Sequence, residues 1–135
     1  MSDSNLIAES AGAAGATARY SIGIDLGTTH CALSYVDRSA SDGDTVVQGV
    51  LDIPQLTGPA SLDAKPLLPS FLYLPHESEL TPADMALPWG AADGYVVGEF
   101  ARSRGAATPI RLVSSANSWL RHPGVDRGAP LLPAD

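Results

Sequence analysis

The fold class this sequence predicts is an α/β lobe built on a mixed β-sheet with few helices, and three observations predict it. Residues 20–36 alternate apolar and polar side chains with the period of two that marks a half-buried strand. Seven of the eleven prolines lie between residues 51 and 90, which excludes long helices and central strands over most of that stretch. Helix-forming composition begins only at Glu99.

Taken in order, Tyr20, Ile22, Ile24 and Leu26 alternate with Ser21, Gly23 and Asp25 and read as a first strand whose apolar side faces the core. Cys31, Leu33 and Tyr35 repeat the pattern, and Gly27-Thr28-Thr29-His30 is short enough to close a hairpin. After the polar break "DRSASDGD", Thr45–Leu51 reads as a third strand of a β-meander. The run "SFLYL" at 70–74 is a short strand between Pro69 and Pro75. "HESELTPADMAL" reads as an exposed acidic loop, like most of the segment 52–90. Asp93-Gly94 signals a turn, with "YVVG" the strand that returns from it. "EFARSRGA" is a helix stopped by Gly105 and Pro109. A second helix is expected at 115–121, capped by Ser114 or Ser115 and ended by His122-Pro123-Gly124.

The 135 residues correspond to one domain or a piece of one, with 44% hydrophobic and 17% charged residues, a globular composition. The net charge of −7 is uneven: residues 1–99 hold thirteen acids and three bases, while 100–135 hold five arginines and two acids. That balance lacks the basic footprint of a nucleic-acid binder. The single cysteine, Cys31, excludes an intrachain disulfide and points to a reducing compartment. Residues 1–18 are rich in Ala, Gly and Ser, show no signal-peptide pattern, and read as a flexible tail. No stretch is long and apolar enough to span a membrane. The expectation is a soluble, cytoplasmic protein with no nucleic-acid or membrane partner.

The stretch "IGIDLGTTHCALSYV" at 22–36 carries the chemistry. Asp25 lies on the face opposite Ile22, Ile24 and Leu26, beside the small residues Gly23 and Ser21. Gly27 lets backbone approach a bulky anion without a Cβ in the way. Successive turn N–H groups can cradle phosphate oxygens, with the Thr28 and Thr29 hydroxyls as further donors. Asp25 would repel bare phosphate, so its sensible role is to hold Mg2+ through water. A polar hairpin turn that satisfies only itself has the same residues. On residue types alone the two readings stand level.

"IGIDLGTTHCALSYV" resembles the first phosphate-binding hairpin of the Hsp70 (DnaK-type) chaperones, a branch of the actin-like ATPases with a ribonuclease H-like fold. "LLPSFLYL", "VVGEFARSRGAATP" and "RLVSSANSWL" follow in the family's order, so the resemblance covers most of residues 20–122. The flank "SSANSWLRHPGVDR" is similar to a divergent bacterial group of that family. The resemblance implies an ATP/ADP site with Mg2+. Gly27, Thr28, Thr29 and His30 are placed on the phosphates, the first and last through their backbone, and Asp25 is placed on the metal.

It also implies two departures. The family's catalytic lysine position holds Asn117, an amide that brings no positive charge, and loss of such a contributor costs ~10²–10³ in rate. No second phosphate loop of the "DLGGGT" kind follows residue 36, so residues 19–135 correspond to a partial nucleotide-binding domain, one lobe of the cleft. The implied function is that of the amino-terminal part of an ATP-dependent chaperone. Its unfolded clients and co-chaperones would engage through the full-length protein, and this chain alone is expected to bind nucleotide weakly without hydrolysing it. A different actin-like kinase, or a non-catalytic pseudo-ATPase or adaptor lobe, are the competing readings.

Overall fold

β1 (Tyr20–Leu26) and β2 (His30–Asp37) form the predicted hairpin, and β3 (Gln48–Val50) completes an antiparallel meander with β2 in its centre. The computed structural model describes residues 18–121, 123–124 and 126. The tail at 1–17, His122 in the expected helix stop, and residues 127–135 lie outside the described residues. Because β1 occupies one edge of β2 throughout, β6 (Leu68–Pro69) joins the other edge, next to His30 and Cys31, beyond the end of β3.

The proline-rich stretch is more ordered than its composition suggests. β4 (Ile53–Gly58) and β5 (Ser61–Lys65) make a two-stranded hairpin, in which each strand is an edge and Pro54 is tolerated opposite Ala64. The expected acidic loop contains α1 (Pro82–Met85), a single turn fixed by a capping box between Thr81 and Asp84. Leu80 and Met85 from that segment are buried in the core, which corrects the reading of it as exposed.

β7 (Phe71–Tyr73) lies between β8 (Val96–Val97) and β9 (Leu112–Ser114) in a third sheet, antiparallel to both. β9 was not anticipated from the sequence. α2 (Glu99–Ala107) connects β8 to β9 and packs over β7, so two strands running the same way flank a third that runs against them. Every strand pairing among the described residues is antiparallel, which corrects the expectation of a mixed sheet. The physical reason is that the helical crossover skips over β7 instead of laying its two strands side by side.

The core gathers around that third sheet: Tyr73, Val96, Phe100, Ala101, Leu56, Leu80 and Met85. Gly105 does not stop α2. A Cβ there would collide with the side chain of Leu112, so the glycine sets how closely the helix meets β9. The α2 N-terminus has no cap from Gly98. Gln55, only 2% exposed, reaches over from β4 instead. Its Oε1 accepts from the Glu99 N–H at 3.1 Å while its Nε2 donates to the Leu67 carbonyl at 2.9 Å. The second expected helix is a 3-10 helix, Ala116–Arg121, and Ser115 before it has a left-handed φ of 53° instead of a capping conformation.

The apolar side of the meander does not face this core. Ile22, Ile24 and Leu26 are 63%, 65% and 64% exposed, which overturns their expected burial. Alternation identified the strand correctly, but no layer among the described residues covers that face. Cys31 and Leu33 behind them are half-buried.

Each part has a charged group that anchors it internally. The fully buried Tyr73 donates its hydroxyl to both Glu79 carboxylate oxygens, at 3.0 and 2.9 Å, and burial pushes its phenol upward in pKa. Tyr73→Phe is expected to lower stability by about 1.5–3 kcal/mol in urea denaturation, the range for a hydrogen bond to a charged group.

Asp37 ends β2 and accepts from Arg19, from the Ser39 hydroxyl at 2.6 Å and from the Ser39 and Ala40 N–H groups. The Arg19 guanidinium, then the Ser39 hydroxyl, hold its carboxyl well below the usual carboxylate range. A folded-state pKa depressed in this way leaves the contribution intact above the unfolded value, about 4, and removes it as pH falls further. Asp37→Asn is expected to flatten the acid limb of a stability–pH profile below about pH 4. Parallel limbs for the two proteins would contradict the assignment.

Candidate functional site

The Leu26–His30 turn is held by two other parts of the chain. Ser70, the residue between β6 and β7, donates its hydroxyl to the Gly27 carbonyl at 2.7 Å and its N–H to the Thr29 carbonyl at 2.9 Å. Ser115 donates its hydroxyl to the Thr28 carbonyl at 2.7 Å. Asn117 donates Nδ2 to the Leu26 carbonyl at 2.6 Å and the Gly27 carbonyl at 3.0 Å. The two holding segments are themselves joined, since the Ser115 N–H donates to the Ser70 carbonyl at 3.0 Å. Each carbonyl from Leu26 to Thr29 therefore has a donor from this clasp.

That fixes the other half of each peptide unit. All described peptide bonds are trans, and in a trans peptide the N–H points opposite the carbonyl of the same plane. With the carbonyls turned to the clasp, the N–H groups of Thr28, Thr29 and His30 point away from it. Among the described residues the Thr28 and Thr29 N–H groups have no protein acceptor. Both threonines are exposed, and the Thr28 hydroxyl also lies 3.4 Å from that of Ser118. The turn is not filled by its own side chains.

Gly27 has a reason beyond the one read from sequence. A Cβ there would overlap the His30 carbonyl, so the turn closes this tightly only with glycine. Its lack of a side chain serves the fold first and leaves bare backbone as a by-product.

Asp25 is exposed on β1 opposite Ala32, on the face away from Ile24 and Leu26. The shallow concavity beside it, about 270 Å³, is lined by Gly23, Ser34 and Val50 and does not extend to Thr28 or Thr29. No group of three or more His, Cys, Asp or Glu that could hold a metal occurs among the described residues. A lone carboxylate fits an ion that keeps several waters and takes its remaining ligands from phosphate, not one needing a protein cage. His30 is half-buried and enters the site through its backbone.

The structure thus brings Gly27, Thr28, Thr29, His30 and Asn117 together and leaves Asp25 on the strand, two residues before Gly27. Ser70, Ser115 and Ser118 were missed. Ser70 had a signal: it is the polar residue inside "LLPSFLYL", an otherwise apolar run. No protein-family model matches the chain, and neither a curated protein nor a solved structure matches it. No helix among the described residues is long and apolar enough to cross a membrane.

Asn117 spends its amide hydrogens on the turn and leaves Oδ1 buried with no hydrogen-bond partner among the described residues. Asn117→Ala removes two donors but also that orphaned acceptor, so its net cost is expected at about 1 kcal/mol. Gly27→Ala forces a methyl onto a backbone carbonyl and is expected to cost more, about 1–3 kcal/mol. Urea denaturation of both variants checks the order, and the reverse order would mean that the clasp, not the tightness of the turn, dominates.

Proposed function

We propose that the Gly27–His30 turn is a phosphate cradle for a Mg2+-nucleotide, ATP or ADP, in the amino-terminal part of an Hsp70-like, actin-like nucleotide-binding domain. The observation that carries this reading is the orientation of the turn: its carbonyls are bonded inward, so the Thr28 and Thr29 N–H dipoles face outward, on residues that are themselves exposed. Anions bind where successive backbone N–H groups converge. Asp25 supplies the carboxylate through which hydrated Mg2+ is held, and the cation offsets the repulsion between that carboxylate and phosphate. Chaperone activity, with clients and co-chaperones, belongs in this reading to the full-length protein.

Asn117 favours a second reading of the same site. Its amide is engaged with the Leu26 and Gly27 carbonyls, so it acts as a brace and adds no positive charge against a transferring phosphoryl group. On this account the lobe holds nucleotide without turning it over, as a pseudo-ATPase or adaptor would.

Titration calorimetry with Mg-ATP and Mg-ADP tests the proposal. One lobe leaves the phosphates open to water, where charge interactions are weak, so dissociation constants of about 0.1–1 mM are expected. Thr28→Val and Asp25→Ala should each weaken binding by about tenfold, the latter only with Mg2+ present. Absence of heat with a folded chain, or binding indifferent to both substitutions, would overturn the phosphate reading.

A further inference from the structure

Ser118 lies in the 3-10 helix Ala116–Arg121, yet its side chain takes no part in the clasp that Ser115 and Asn117 form. Its N–H donates to the Ser115 carbonyl at 2.9 Å, so its backbone is fixed to the same segment. The Ser115 hydroxyl holds the Thr28 carbonyl, and the Ser118 hydroxyl stands 3.4 Å from the Thr28 hydroxyl. One short segment therefore meets both oxygens of Thr28. Hydroxyls firmly bonded to each other stand roughly 2.5–3.0 Å apart. At 3.4 Å these two are adjacent without satisfying one another. Neither has another partner among the described residues, and both residues are exposed. Each hydroxyl carries one proton to donate, and a phosphate group presents several strong acceptor oxygens side by side.

Resting on the phosphate reading of the turn, we propose that Ser118 is a further phosphate ligand. Its hydroxyl and that of Thr28 donate together to neighbouring oxygens of one phosphate group of the nucleotide. The donors then come from two parts of the chain 90 residues apart, the hairpin turn and the 3-10 helix. A phosphate held in this way adds a second tie between turn and helix beside the clasp. Ser118 differs from Asn117 in what it can give. Asn117 has spent its amide hydrogens on the Leu26 and Gly27 carbonyls, whereas the Ser118 proton is still available to a ligand.

NMR shift titration of the full chain with Mg-ADP, which reads millimolar dissociation constants, tests the role of Ser118. Ser118→Ala is expected to weaken binding roughly fivefold, the effect of one neutral hydrogen bond. Ser118→Thr, which keeps the hydroxyl, should stay within about twofold of the unaltered chain. The Ser118 hydroxyl makes no other bond among the described residues, so Ser118→Ala should leave the urea midpoint unchanged. The comparison is repeated in a Thr28→Val background. A hydroxyl that bonds phosphate itself should again cost roughly fivefold there, whereas one that only orients Thr28 has nothing further to lose. Binding that is weakened by Thr28→Val but indifferent to Ser118→Ala would overturn the proposal and leave the phosphate reading standing. An effect of Ser118→Ala that vanishes beside Thr28→Val would overturn it too, making Ser118 a positioning residue. No binding by the unaltered, folded chain would overturn both.

Discussion

Ser70, Ser115 and Asn117 do for the Leu26–His30 turn what a neighbouring strand does for a ladder: they satisfy its carbonyls and fix the rotation of each peptide plane. The rest of the molecule hangs on that clasp. Ser70 stands where the chain leaves the meander sheet and enters the core sheet, and Ser115 directly follows β9. The turn is therefore the point at which the two sheets are keyed together. The same bonds that join them decide which side of the turn carries donors. The donor side of the turn is a consequence of how the fold is tied.

The packing is lopsided. α2, β4 and α1 converge on β7 and β8, where a fully buried tyrosine is anchored to Glu79 and Gln55 caps a helix from another sheet. Across the clasp the meander keeps its apolar side open, with isoleucines nearly two-thirds exposed. Hydrophobic burial stabilises by roughly 25 cal/mol per Å² of apolar surface removed from water, so an uncovered row of this kind represents unspent driving force.

Local chemistry was legible in the sequence, and layering was not. The alternation through Tyr20–Leu26 and Cys31–Val36 identified the hairpin, and the glycine with two threonines located its turn. Which side of that hairpin meets the core depends on elements far along the chain, and the alternation carries no information about them. Proline density obscured β4, since an edge strand tolerates Pro54 where a central one would not. Gly105 read as a helix stop because glycine is a poor helix former, yet contact with Leu112 keeps it inside α2. Asn117 was placed near the turn through a resemblance. Its grip on two carbonyls depends on the 3-10 turn that starts at Ala116 and on the left-handed Ser115 before it, neither of which has a sequence signature.

The orientation of the turn is the central physical claim, and amide hydrogen exchange at Thr28 and Thr29 reads it directly. With the carbonyls held and the N–H groups facing out, both amides should exchange rapidly in the free chain, while the neighbouring β2 amides exchange slowly. Both should slow when Mg-ATP is added. Amides already protected in the free chain, or unmoved by saturating nucleotide, would show that the donors face inward or that nothing is held there.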